Sequence, residues 1–227
     1  MSGRRYLFGL DESGSIAQNK RSVIVAVRQE IEDFRINEDV SESGDVLYPK
    51  LCMDGFGRLR VKKTRPNTRK KRGYEWKMQK PEGDFKFVQL DENLLKSVSD
   101  IYEGSRTRAE RSLNGKLPET RLRADAMAHV LVKYGFNPLN DIAYVDSFGR
   151  CVVIRNMIIG YLQKALDLEV PSRSVKCKTG ADENVLIVNR ADAIAYSIFD
   201  RISGYEKQRI SFDTSDILSI YRRTVEV

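Results

Sequence analysis

The chain of 227 residues is short of the side chains that most often activate nucleophiles or bind soft metals: one histidine, three cysteines and one tryptophan. A single imidazole leaves a serine triad possible only through His129 and excludes multi-histidine metal sites. Cys52, Cys151 and Cys177 are odd in number and far apart, with no C-x-x-C pair for zinc or redox work. They read as reduced thiols of a cytoplasmic protein. No apolar run approaches a membrane span, since Val152–Ile159 is broken by Arg155 and Asn156. The N-terminal stretch turns acidic at Asp11 before a signal-peptide core is complete, so neither secretion nor a membrane partner is expected. No Gly-Lys-Ser/Thr follows Gly9, Gly14 or Gly149, which disfavours nucleoside triphosphate hydrolysis.

What is present is a globular composition, 41% hydrophobic and 31% charged, enough for one domain with a real core. The basic charge is local. Of the formal +7, nine Lys or Arg and no acid fall in residues 58–73, leaving about −2 for the remainder. Such a block stays solvated and releases counterions when laid against phosphates. Lys62, Lys63, Arg65, Arg69, Lys70, Lys71 and Arg72 are therefore candidate nucleic-acid contacts. A solubilising loop and a nuclear-localisation signal are the other readings of the same block. Pro66 and Asn67 favour a turn at its centre. The charge-dense stretch 36–84 reads as an insertion or extended basic hairpin region within a single domain spanning 1–227.

Apolar runs place the elements. Strands are predicted over Arg4–Asp11, Ser22–Val27, Phe85–Leu90, Asp141–Asp146 and Ser174–Lys178, with a short strand-like piece at Val46–Tyr48. Helices are predicted over the segment capped by Asp91-Glu92-Asn93, over Glu119–Tyr134 ending at Gly135, over Ile154–Leu166, and over Ala191–Ile202 with Asp192 near its start. Gly180–Asn184 reads as a turn. Strands first, then helices alternating with strands, imply an α/β protein with a mixed sheet and helices packed on it.

Acids punctuate this pattern. Asp11 and Glu12 close the first strand, Asp146 closes a later one, and Asp192 opens the helix after the last. In an open sheet, strand ends and neighbouring helix starts converge on one crevice. Carboxylates crowded there repel unless a cation joins them. Hard oxygen ligands suit Mg²⁺ or Mn²⁺, and two such ions roughly 3.5–4 Å apart activate water and stabilise a phosphodiester leaving oxygen. Taken singly, each acid also serves ordinary turn or helix-start chemistry.

The segment Leu7-Phe8-Gly9-Leu10-Asp11-Glu12-Ser13-Gly14 resembles the opening of type 2 ribonuclease H, whose first strand ends in Asp-Glu-x-Gly. Tyr144-Val145-Asp146 resembles that family's strand ending in Val-Asp, and Arg190-Ala191-Asp192-Ala193 its Lys-Ala-Asp helix start. The same spacing also resembles a group of ribonuclease H-like proteins carrying Asp-Glu-Ser-Gly early and Ala-Asp late. The resemblance implies a ribonuclease H-like mixed sheet. Asp11 would bridge two metal ions, Glu12 and Asp146 would complete the coordination, and Asp192 would be the fourth carboxylate. Type 2 ribonuclease H follows its acids with Gly-Arg-Gly, whereas this chain has Gly14-Ser15-Ile16, so junction-specific cleavage is not implied.

The expectation is a two-metal nuclease acting on RNA, an RNA–DNA hybrid or structured DNA. A non-catalytic nucleic-acid-binding protein on the same fold and a module contacting acidic protein surfaces are the alternatives. Lys178 and Arg190 flank the expected crevice and are the further phosphate-contact candidates. Tyr196, four residues after Asp192, shares its helical face and serves either a ligand or the core. Arg121 and Arg123 serve either a phosphate track or a solvated face. His129 reads as a packed or surface histidine, and Asp182 and Glu183 as turn residues or alternative acids near the site.

Overall fold

The structure is a computed structural model and describes residues 5–30, 51–53, 59–61, 84–107, 110, 113, 116–200 and 204–222. The Val- and Ile-rich runs form the strands expected of them. β1 (Tyr6–Ser15) pairs antiparallel with β2 (Arg21–Glu30) across α1 (Ile16–Asn19). β3 (Leu51–Met53) and β4 (Leu59–Val61) form a separate antiparallel pair within the 36–84 stretch. The basic residues from Lys62 to Arg72, and Val46–Tyr48, lie outside the described residues. β5 (Phe85–Asp91) adds antiparallel to the outer side of β2. On the other side β1 takes β6 (Ile142–Asp146) in parallel, and β6 takes β7 (Val175–Lys178) in parallel. The order β5-β2-β1-β6-β7 is thus the mixed sheet of an α/β protein.

Helices cover both faces. α2 (Glu92–Gly104) starts where Asp91 accepts the Leu94 N–H at 2.8 Å, the cap expected from the sequence. α3 (Leu117–Lys133) carries a proline in its first turn. It ends where Gly135 takes a φ of 80°, and the Gly135 and Phe136 N–H groups return to the Val132 and Leu131 carbonyls. α4 (Cys151–Leu166) follows β6. α2, α3, α4 and the C-terminal α7 (Thr214–Arg222) pack on one face, around Phe8, Leu10, Ile24, Leu122, Ile154 and Ile158. The opposite face is closed by α5 (Ala181–Asn184) and α6 (Leu186–Asp200), whose Ile187, Val188, Ala191, Ile194, Ala195 and Ile198 meet Val23, Val25 and Tyr144. Among the described residues no helix is long and apolar enough to cross a membrane.

Four elements differ from the sequence reading. β1 does not stop at Asp11, because pairing with β2 carries it to Ser15. α6 begins at Leu186, so Asp192 lies inside the helix, not in its first turn. The stretch read as a turn over Gly180–Asn184 turns only at Gly180, with Ala181–Asn184 forming the four-residue α5, and α7 lies in a stretch for which the apolar pattern predicts no element.

Candidate metal centre

β1 has different neighbours along its two edges. Its pairing with β2 runs to Ser15↔Arg21, but its pairing with β6 ends at Leu10↔Val145. Asp11 is the first residue past that point, beside the C-terminal end of β6 where Asp146 stands. Side chains alternate along a strand. Gly9 and Asp11 therefore face α6, as Ile142, Tyr144 and Asp146 do on β6, while Phe8, Leu10 and Glu12 face α3.

α6 lies unusually close to β1. A Cβ on Gly9 would sit 2.4 Å from the backbone carbon and oxygen of Ile187, so only glycine admits this approach. The close approach brings Asp192 to Asp11. α5 brings a third acid: single carboxylate oxygens of Asp11, Asp182 and Asp192 all lie within 4.8 Å of one another. Asp11 and Asp192 are buried and Asp182 half-buried. Two bonds fix the segment that carries Asp182. The Ala181 N–H donates to Asp146 Oδ1 at 2.9 Å, and Asn189 Nδ2 donates to the Asp182 carbonyl at 2.8 Å, tying α5 to both β6 and α6. Asp146 Oδ1 also accepts the Ser147 N–H at 2.9 Å.

The structure therefore brings Asp11 and Asp192 together, sets Asp146 on the neighbouring strand end, and adds Asp182, for which the sequence leaves both a turn and an alternative acid of the site open. Glu12 is engaged on the other face. Its Oε1 accepts from Arg123 Nη1 at 2.5 Å, and Arg123 Nη2 reaches Glu119 Oε1 at 2.6 Å. Glu119 Oε1 in turn accepts the Ile16 N–H at 3.2 Å, so α3 grips the turn after β1. Burial raises the Glu12 carboxyl to about 7, against the opposing pull of Arg123, and the charges of Glu119 and Asp146 add to the rise.

Lys178 is the register partner of Asp146 and shares its side of the sheet. Arg190 is exposed, and its spacing of two residues from Asp192 turns it roughly 200° around the helix axis, away from the acids. Tyr196 is half-buried one helical turn beyond Asp192. His129 is a core residue, its ring nitrogens 3.0 Å from Tyr161 Oη and 2.9 Å from the Ser211 carbonyl. Arg121 is buried in a network with Tyr221, Ser105 and Glu110, and Arg123 holds two carboxylates, so neither belongs to a solvated face.

The donor set fits a hard divalent cation. Three carboxylates from separate segments supply only oxygen, and their mutual repulsion in a half-closed site is relieved by positive charge.

No protein-family model matches the chain, and no curated protein does. Among solved structures it is similar to the ribonuclease H2 from Pyrococcus horikoshii OT3, at 17% identity and a TM-score of 0.41 over 97% of this chain and 94% of that one. It is also similar to the RNase HII of the PCNA:RNase HII complex from Archaeoglobus fulgidus, at 17% identity and a TM-score of 0.40 over 97% of this chain and 89% of that one. A third similarity is to Bst-RNase HIII in complex with Mn²⁺, at 17% identity and a TM-score of 0.40 over 87% of this chain and 52% of that one. At such scores the likeness carries no chemical argument, which rests on this chain's own acids.

Proposed function

We propose that the chain is a divalent-metal-dependent nuclease of the ribonuclease H type, hydrolysing phosphodiester bonds in RNA, an RNA–DNA hybrid or structured DNA in the cytoplasm. The observation that carries this reading is the meeting of Asp11, Asp182 and Asp192 within 4.8 Å at the open end of the central strands. Asp11, flanked by Asp146 on β6 and by the two acids from α5 and α6, is the residue suited to sharing between two Mg²⁺ or Mn²⁺ ions. Bound there, such ions supply Lewis-acid polarisation of a phosphodiester oxygen and a water of lowered pKa. The protein's own part is to hold the four acids in register and to keep the segment carrying Asp182 braced through Ala181 and Asn189. Lys178, beside Asp146, offers a cation to the substrate backbone, and the basic residues from Lys62 to Arg72 offer a longer electrostatic track.

One observation favours the alternative of a nucleic-acid-binding protein without catalysis. Glu12, a metal ligand by family resemblance, is occupied by Arg123 on the far side of the sheet. Labelled single strands, hybrids and structured DNA incubated with Mg²⁺ or Mn²⁺ decide between the two. The nuclease reading expects cleavage by the wild type and its loss in Asp11→Asn, with calorimetric Mn²⁺ binding weakened in parallel. Equal cleavage by the variant refutes it. Tight, salt-sensitive binding without any cleavage supports the alternative.

A further inference from the structure

On the helical face remote from the carboxylate cluster, α3, α4 and α7 line a half-open cavity of about 240 Å³ together with Thr107 and Glu110. It is far larger than the roughly 10–15 Å³ that one water needs, and smaller than the roughly 300–1,000 Å³ of drug-sized pockets. Two cations line it. Arg121 is nearly buried, held by Ser105 and by the Tyr221 hydroxyl at 3.1 Å, and Lys164 lies with Nζ 5.0 Å from the centre of the Tyr221 ring. One acid lines it, Glu110, whose Oε2 is 3.5 Å from Arg121 Nη1 and is already taken by the Thr107 N–H at 2.7 Å. Burial and the Arg121 charge lower the Lys164 pKa against the opposing pull of Asp125, as expected of two cations facing the same half-open space.

The α4 wall opens at Gly160. Proline apart, glycine is the poorest helix former, yet it stands mid-helix, and a Cβ added there would meet no atom within 4 Å. The cavity is thus left open at a position where a large helix-forming side chain such as leucine would both project into it and favour the helix.

We propose that this cavity is a binding site for a small oxyanion, a phosphate or a short carboxylate, held between Arg121 and Lys164 against the ring of Tyr221. The site is separate from the carboxylate cluster and stands whether or not the nuclease reading holds.

The test is a titration of the ¹⁵N-labelled full chain with sodium phosphate and, in a second arm, sodium acetate. Each arm is compared with sodium chloride at matched ionic strength, following the amide signals of Gly160 and Asn156. The expected result is a saturable shift with at least one of the two anions and none with chloride, the responding arm distinguishing phosphate from carboxylate. Lys164→Gln should weaken it roughly ten- to a hundredfold, the range for removing a hydrogen bond to a charged group. Gly160→Leu, which supports the helix while occupying the space, should abolish it. Signals that do not move in either arm, or that move equally in wild type and both variants, overturn the proposal.

Discussion

Asp182→Asn tests the carboxylate cluster through two effects of opposite sign. Asp182 lies within 4.8 Å of both Asp11 and Asp192. Two unit charges at that distance repel by roughly 3.5 kcal/mol at an effective dielectric of about 20. Replacing Asp182 by its neutral isostere removes two of the three repulsive pairs in the metal-free protein. Relaxation and counterions absorb part of this, so the expected gain in unfolding free energy is about 1–3 kcal/mol at low salt, shrinking as ionic strength rises. The same substitution removes an anionic ligand from any divalent ion, so metal affinity must fall. Urea denaturation in EDTA and in MnCl₂ measures both. Wild type should be the less stable protein without metal and should gain more from Mn²⁺, while the variant should start higher and gain little. An Asp182→Asn protein that is destabilised in EDTA and keeps wild-type Mn²⁺ stabilisation would refute the reasoning, because the three acids would then be neither repelling one another nor sharing a cation.

Four further outcomes are expected. Asp125 is fully buried, and burial lifts its carboxyl from 3.8 to about 7, against the Tyr221 hydrogen bond and the Arg121 charge. The folded state then keeps a proton that the unfolded chain releases, so stability falls as pH rises through that window. Asp125→Asn should gain on wild type by up to roughly 4 kcal/mol between about pH 4 and pH 8 in urea titrations, and a difference flat across that range contradicts the assignment. Gly9→Ala should cost about 1–3 kcal/mol or more by forcing α6 off β1, and should weaken Mn²⁺ binding measured by calorimetry, because Asp192 moves with the helix. Asp91→Ala should cost about 1 kcal/mol in thermal unfolding through removal of the Leu94 N–H cap. Neutralising Lys70, Lys71 and Arg72 should lower the salt dependence of nucleic-acid affinity by roughly 0.7–0.9 for each phosphate that no longer meets a cation, and an unchanged slope removes them from the interface.

Much of the sheet is legible in the sequence because its signals are local. The Val23–Val27 run, the alternation of Phe85–Leu90 and the cap at Asp91 each depend on a few consecutive residues, and each lies where expected. The α6 start is not legible, since a short apolar run such as Val185–Val188 fits a buried strand and a buried helix turn equally. α7 does carry a local signal. Asp213 accepts the Ser215 and Asp216 N–H groups at 2.8 and 3.2 Å, a helix-start pattern ahead of the buried Ile217 and Ile220. Asp182 stands near the expected crevice by its order in the chain, but no local signal separates it from a turn residue. Gly180-Ala-Asp-Glu-Asn has turn composition, and what makes Asp182 part of the cluster is a pair of tertiary bonds, through Asp146 and Asn189, that no spacing in the sequence specifies.

The Asp11–Glu12 pair shows why a motif and its geometry separate. In a strand paired as regularly as β1 is with β2, consecutive side chains leave on opposite faces. Asp11 therefore goes toward α6 and Glu12 toward Arg123, whatever the motif suggests about a shared role. A third carboxylate beside Asp11 has to come from a different segment. The face toward α6 has room for one because Gly9 lets the helix backbone approach, and the α5–α6 turn is then drawn over the strand ends. Asp182 follows from that approach. The local chemistry of Asp-Glu-Ser-Gly thus depends on a glycine two residues upstream of Asp11 and on a helix far along the chain, and the carboxylate cluster is a consequence of how closely α6 packs on β1.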